Sequence, residues 1–163
     1  MEEYVIYMLE TDYDAKRITD FLLSEYSFDD RNHTPGEIMQ LKNNAIKSLG
    51  ENNYFYWYAE NKKGEIIAAH GVYENEQKTG GYEGDYLVVH KNYRNRGIAS
   101  KMMDLMLEHL RINKARYLLV GTCDTDAYRA IRHLLEKKGF KQAGHYPHYY
   151  FEGEGKLVYY IKI

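Results

Sequence analysis

From Tyr82 to Phe140 the chain moves back and forth between the two hydrophobic periods that regular structure allows, and this constrains its fold more than any other feature. Tyr82 to His90 ends in the apolar run Leu87-Val88-Val89 and reads as a strand. Ile98, Met102, Met103, Met106, Leu107 and Leu110 then fall on one stripe, with Lys101, Asp104, Glu108 and His109 mostly off it, so the next element is an amphipathic helix. Tyr117 to Val120 is a short buried strand, Ala127 to Lys138 a helix closed by Gly139, and Phe140 opens another extended segment. Strands alternating with helices call for a sheet covered by helices, the α/β layered class.

The flanking segments extend this pattern. Val5 to Leu9 is a strand, and Asp12 and Asp14 are N-capping carboxylates for a helix through Ile18, Phe21, Leu22 and Leu23. Thr34 before Pro35 starts a second helix, in which Ile38, Leu41, Ala45, Ile46 and Leu49 recur at helical spacing until Gly50. Tyr54 to Ala59 and Ile66 to Tyr73 form a hairpin around Asn61-Lys62-Lys63-Gly64, with Tyr82 to His90 as a third antiparallel neighbour. Tyr149 to Phe151 and Leu157 to Ile163 make a final hairpin. The expectation is one α/β domain over 1–163, with a mixed, mostly antiparallel sheet flanked by helices on both faces.

Composition narrows the function. With 22 Lys and Arg against 24 Asp and Glu, the formal net charge is -2, which leaves no global field for nucleic acid or an anionic membrane. No apolar run approaches the roughly 20 residues that span a bilayer. The one cysteine, Cys123, has no internal partner, and Met1 leads into charged and aromatic residues, so a cytoplasmic location is expected. The 18 tyrosines are read as strand and rim residues, because a phenol tolerates half-burial.

The chemistry concentrates at Tyr93-Arg94-Asn95-Arg96-Gly97-Ile98-Ala99, which joins the end of a buried strand to the start of a long helix. A helix N-terminus has unpaired N–H groups and about half a positive charge, which suits a pyrophosphate. Gly97 leaves those amides uncovered, Ala99 keeps the helix start uncluttered, and Arg94 and Arg96 add cationic donors. The ligand implied is an anion bearing phosphate.

In context this stretch resembles the acyl-CoA signature of the GNAT superfamily of N-acyltransferases: Leu87-Val88-Val89, a short connection, then Arg94-x-x-Gly97-x-Ala99 opening a helix. The segment from Tyr128 to Gly139-Phe140 is similar to that superfamily's later helix and closing Gly-Phe. The resemblance implies that Leu87, Val88 and Val89 pair with the pantetheine arm of acetyl-CoA. It also implies that Arg94, Asn95, Arg96, Gly97, Ile98 and Ala99 hold the pyrophosphate, and that a bulge near the strand's end splays it from its neighbour. The reaction implied is acetyl transfer from acetyl-CoA, as co-substrate, to a primary amine of a small molecule or peptide by direct attack in a ternary complex. The alternative is an acyl-CoA-binding regulatory module with little or no turnover.

Strand alternation places Glu83, Asp85, Leu87 and Val89 on one face, and either carboxylate is a candidate to take the ammonium proton. The resemblance implies an oxyanion donor at the Val88 or Val89 N–H. Many superfamily members have tyrosine as general acid five residues before the Phe of Gly-Phe, where this chain has Leu135, so Tyr128 is the substitute candidate. Cys123 reads as a buried strand-end thiol. His145-x-x-His148 lacks a third ligand at a recognisable interval, so no metal is expected. Tyr146, His148, Tyr149 and Tyr150 form either a substrate rim or ordinary hairpin packing, and Arg129, Arg132, Lys137 and Lys138 a solvated helix face. A homodimer is the assembly expected from frequency alone.

Overall fold

The structure, a computed structural model, describes residues 3–163. The chain forms β1 (Tyr4–Met8), α1 (Asp12–Leu22), α2 (Pro35–Gly50), β2 (Tyr54–Asn61), β3 (Ile66–Glu74), β4 (Gly81–Val89), α3 (Ile98–Ile112), β5 (Tyr117–Cys123), α4 (Arg129–Lys137), β6 (Lys141–Phe151) and β7 (Glu154–Lys162). It is a mixed α/β fold with a seven-stranded, mostly antiparallel sheet in the order β1-β2-β3-β4-β5-β7-β6. Two compact units divide the described residues: 3–73 with 85–106, and 74–84 with 107–163.

In the first unit the helix starts follow local chemistry. Thr11, rather than Asp12 or Asp14, caps α1: its hydroxyl accepts the Asp14 N–H at 3.1 Å and donates to the Asp14 carboxylate at 2.8 Å. The carboxylates expected as caps instead sit in the first turn, where they complement the helix dipole. Thr34 and Glu37 close a capping box on α2, with Pro35 just inside the helix. The buried stripe of α2 is narrower than its pattern suggests. Leu41, Ala45 and Ser48 face inward, whereas Ile38 and Ile46 are exposed.

These helices cover the tyrosine-rich face of the first strands. Ala15, Ile18, Phe21 and Leu22 of α1 and Leu41 and Ala45 of α2 share one core with Tyr54, Tyr56, Tyr58, Ile66, Ala69 and Val88. Tyr54, Tyr56 and Tyr58 are register partners of Tyr73, Gly71 and Ala69, so large rings on β2 lie opposite small positions at two of three places on β3. Fully burying a side chain of this size stabilises by about 1.5–3 kcal/mol, so this layer is a main source of the unit's stability.

In the second unit, β4 and β5 pair in parallel from Gly81↔Tyr117 to Glu83↔Leu119, and β5 pairs antiparallel with β7. The α4 helix starts later than its sequence pattern suggests, because Asp126–Tyr128 forms a short 3-10 turn before it. It ends in a Schellman arrangement: Gly139, at φ 92°, donates to Glu136 and Phe140 to Leu135. β6 begins at Lys141, in the extended segment expected from Phe140, and runs on through the strand expected at Tyr149 to Phe151; its ladder with β7 is interrupted between Tyr146 and Phe151. His148 has a φ of 56° there, and its Nδ1 accepts the Gly153 N–H at 2.8 Å.

Candidate active site

The turn singled out in the sequence lies in the first unit and is built from the end of β4. His90 caps a 3-10 turn over Lys91–Tyr93, its Nδ1 accepting the Asn92 N–H at 3.1 Å, and its ring stacks on Tyr26 with centroids 4.6 Å apart. Burial lowers the His90 pKa, and the neutral ring that results suits an acceptor role at Nδ1. Asn95 at φ 60° and Gly97 at φ 78° then turn the chain left-handed, and Gly97 accepts the Lys101 N–H at 3.0 Å as α3 begins. Asn95, Arg96 and Gly97 are exposed, whereas Ile98 is buried and Ala99 half-buried. Open space surrounds the position of a Cβ at Gly97, so its backbone angle, rather than crowding within the chain, explains the glycine.

Arg94 and Arg96 have different roles from those expected of free cationic donors. Arg94 donates to the Val89 and Ser27 carbonyls at 3.2 and 2.9 Å and pairs with Asp29 at 2.5 Å, tying the end of β4 to the segment after α1. Arg96 donates to the Asn92 carbonyl at 2.9 Å and lies over the Tyr93 ring, 5.0 Å from its centroid. The backbone from Asn95 to Gly97 is exposed at the start of α3. A cavity of about 560 Å³ lies beside the preceding 3-10 turn, lined among others by Phe21, Tyr26, Ile67, His90, Asn92 and Tyr93.

Upstream on β4, Asp85 enters a hydrogen-bonded network that the sequence did not reveal. Tyr54 donates its hydroxyl to Asp85 Oδ2 at 2.5 Å, Asn44 Nδ2 donates to the same oxygen at 3.0 Å, and the Tyr86 N–H donates to Oδ1 at 2.8 Å. Burial pushes the Asp85 carboxyl above its ordinary value, against the pull of these hydrogen bonds. Burial, then the Asp85 charge, raises the Tyr54 pKa, so this phenol stays protonated as a donor. The Tyr56 hydroxyl lies buried near this carboxylate but has hydrogen-bond geometry to no partner among the described residues.

Asp85 also breaks the predicted alternation. It reaches Asn44 of α2, while the next residue, Tyr86, donates its hydroxyl to Gln40 of the same helix at 2.6 Å. Val88 shares the core beneath α1 and α2. Two successive side chains on one side, followed by regular alternation, mark a β-bulge at Asp85 and Tyr86. Leu87 and Val89 therefore do not share the face of Asp85. Gly71 makes room for this arrangement: a Cβ there would lie 2.5 Å from the Tyr56 ring and 2.9 Å from Asp85 Cβ. Gly71→Ala is expected to destabilise the fold by about 1–3 kcal/mol through overpacking. A urea-unfolding midpoint equal to that of the wild type would refute this.

Glu83 and Tyr128 belong to the second unit. Glu83 is half-buried on β4, in register with Leu119. Tyr128 ends the 3-10 turn and occupies the N-cap position of α4, with its N–H donating to Thr125 at 3.1 Å. Leu135 is fully buried. Arg132 donates to the Cys123 and Thr125 carbonyls, both at 2.7 Å, and so has a structural role, whereas Arg129 lies exposed, as expected of a solvated face, in a surface pair with Asp126. Cys123 is buried, as expected of an inert strand-end thiol.

The two histidines of the last hairpin are also engaged locally. His145 Nε2 lies 2.9 Å from Asp124, which also accepts the Gly155 N–H at 2.9 Å. The His145 contact holds the Asp124 carboxyl below its ordinary value. Among the described residues no group of three or more His, Cys, Asp or Glu is arranged to hold a metal ion. None of their helices is long and apolar enough to cross a membrane.

The profile of the acetyltransferase (GNAT) family matches residues 15–140. No curated protein matches the sequence. Among solved structures, a GNAT-family protein from Desulfovibrio desulfuricans superposes with a TM-score of 0.83 at 16% identity, over 98% of this chain and 99% of that one. The ribosomal-protein-S18-alanine N-acetyltransferase of Escherichia coli gives 0.77 at 15% identity, over 99% and 94%. An aminoglycoside 6'-N-acetyltransferase complexed with coenzyme A gives 0.71 at 16% identity, over 96% of each chain.

Proposed function

Because this chain belongs to the acetyltransferase (GNAT) family, we propose that it moves the acetyl group of acetyl-CoA to a primary amine of a small molecule or peptide by direct attack in a ternary complex. The observation that supports this most is the junction of β4 and α3, where the exposed Asn95–Gly97 backbone precedes a fifteen-residue helix. Its N–H groups and the helix dipole suit the pyrophosphate, and the Leu87–Val89 backbone is the proposed partner of the pantetheine arm. Residues 1–163 are read as one catalytic domain, acting in the cytoplasm.

Glu83 is the proposed base. It takes a proton from the acceptor ammonium, and the neutral nitrogen attacks the thioester carbon. The Val88 or Val89 N–H receives the developing oxyanion; the attacking nitrogen gives up its second proton to water, and collapse of the tetrahedral intermediate breaks the C–S bond. The thiolate then takes a proton from Tyr128 or from water, and its conjugate acid, with a pKa of roughly 8.5, makes it a tolerable leaving group unaided. Support for Glu83 over Asp85 comes from the three donors that already engage the Asp85 oxygens.

The deciding experiment monitors thiol release from acetyl-CoA across amines, including peptides with N-terminal alanine and aminoglycosides. Turnover with at least one amine is expected. Binding of acetyl-CoA without turnover of any acceptor would favour the regulatory reading, which the buried Leu135 at the usual tyrosine position motivates. Calorimetry showing no binding at millimolar acetyl-CoA would remove both. Gly97→Ala should weaken acetyl-CoA binding roughly tenfold, since a left-handed φ of 78° costs an L-residue about 1–2 kcal/mol. An unchanged dissociation constant would show that the turn does not hold the ligand.

A further inference from the structure

We infer that Asp85, Tyr54 and Asn44 form a clamp that positions the Leu87–Val89 backbone for acyl transfer, and that Asp85 acts through this clamp rather than by carrying the substrate's proton. The inference rests on the proposed function for the use made of that backbone; the clamp's own geometry lies within the first unit.

A bulge leaves an extra residue on the strand outside regular pairing, and a backbone N–H that is neither paired nor hydrated is costly. Here Asp85 accepts the N–H of the next residue, Tyr86, at 2.8 Å, which ties the carboxylate to the strand backbone. Such a contact fixes the local backbone only if the carboxylate itself cannot swing, and two other elements prevent that. Tyr54 of β2 and Asn44 of α2 both donate to the other carboxylate oxygen, at 2.5 and 3.0 Å. Tyr86 is anchored separately through its hydroxyl to Gln40, one helical turn before Asn44 on α2. Consecutive residues of the bulge are thus tied to one helix, and the strand that leaves them has a defined direction.

Each of these ties has a consequence for the reaction. An ionised carboxylate offers about four acceptor sites, and three donors already engage this one. Gly71, beneath it, lets the Tyr56 ring and Asp85 pack where a Cβ would intrude. The arrangement favours a held carboxylate over one that exchanges protons with an incoming amine. Immediately beyond the clamp, the Val88 and Val89 N–H groups are the proposed oxyanion donors, whose value depends on preorganised direction.

The test compares Tyr54→Phe, Asp85→Asn and the double variant in thiol release, using the best acceptor from the amine screen. Misplacement of reacting groups by about 1 Å can cost on the order of a hundredfold. Each single variant is therefore expected to lower kcat roughly tenfold to a hundredfold while changing the KM for acetyl-CoA little. The ascending limb of the pH–rate profile should be retained in both, and the double variant should be no slower than the worse single one. Loss of that limb in Asp85→Asn, with Tyr54→Phe near wild type, would make Asp85 the base and overturn the clamp. Near-wild-type kcat in both single variants would do so as well.

Amide exchange separates a failure of the clamp from a failure of the enzyme reading. In Tyr54→Phe the Tyr86 amide should exchange faster while the Leu9 amide, which donates to the Tyr56 carbonyl at 2.8 Å, stays protected. If wild-type protein binds acetyl-CoA but acetylates no amine, the enzyme reading fails, and protection at Tyr86 unchanged by Tyr54→Phe would then still overturn the clamp.

Discussion

As the proposed base, Glu83 replaced by glutamine (Glu83→Gln) is expected to lower the rate of thiol release roughly 10²- to 10⁴-fold, the range by which a positioned acid or base contributes to a reaction. The substitution keeps the shape of the side chain on β4 and its register opposite Leu119, but removes the proton acceptor. The amine must then lose its proton to solvent, so the ascending limb of the pH–rate profile should flatten while acetyl-CoA binding, measured by calorimetry, is retained. Tyr128→Phe should have a much smaller effect, because the thiolate leaves without obligatory protonation. A Glu83→Gln variant with wild-type rate and pH profile would eliminate the base assignment.

The second large effect concerns stability and comes from His70. This residue lies on β3 in register with Trp57, is fully buried, and leaves Nδ1 without a partner among the described residues. Burial lowers its pKa from 6.5 to about 3, because no buried counter-charge repays the cost of the imidazolium. The unfolded chain therefore binds a proton that the native state refuses. Stability from this group is fully present above pH 6.5 and is lost as pH falls toward about 3. At 1.36 kcal/mol per pH unit, that loss is on the order of 5 kcal/mol. Denaturant unfolding of wild type and His70→Leu at neutral and acidic pH checks it. The variant should lose much of the wild type's extra acid sensitivity, and parallel pH dependence in the two proteins would refute the assignment.

Local chemistry made much of this protein legible in its sequence. The capping box at Thr34 and Glu37 places the start of α2 because its partners are three residues apart. The apolar stripe from Ile98 to Leu110 is buried throughout, and the strand-to-helix junction around Gly97 lies where the pattern puts it. Thr11 was missed as the α1 cap because Asp12 and Asp14 are also good capping residues, and only the backbone path decides among them. Ile38 and Ile46 satisfy a helical repeat, yet helix packing leaves them exposed.

The site was readable to the extent that it is contiguous. The turn from Arg94 to Ala99 carries its own signature, but the partners that engage Arg94 do not: Ser27 and Asp29 lie more than sixty residues away. The same holds for Asp85. Sequence identifies it as one of two neighbouring carboxylates on a strand, while Tyr54 and Asn44 stand 31 and 41 residues earlier with nothing local to mark them. Alternation predicted that Asp85 shares a face with Leu87 and Val89, and the bulge at Asp85 and Tyr86 changes this.

By itself, then, the sequence determined the succession of strands and helices, the phosphate-suited turn and the family resemblance, since each rests on side-chain periods, caps and glycine within a few residues. Only the tertiary structure decided that Arg94 braces the turn, that Asp85 is held by Tyr54 and Asn44, and that His70 is sealed in the core. Hydrogen-bond partnership and desolvation depend on which distant segments meet, and a linear pattern does not encode that meeting.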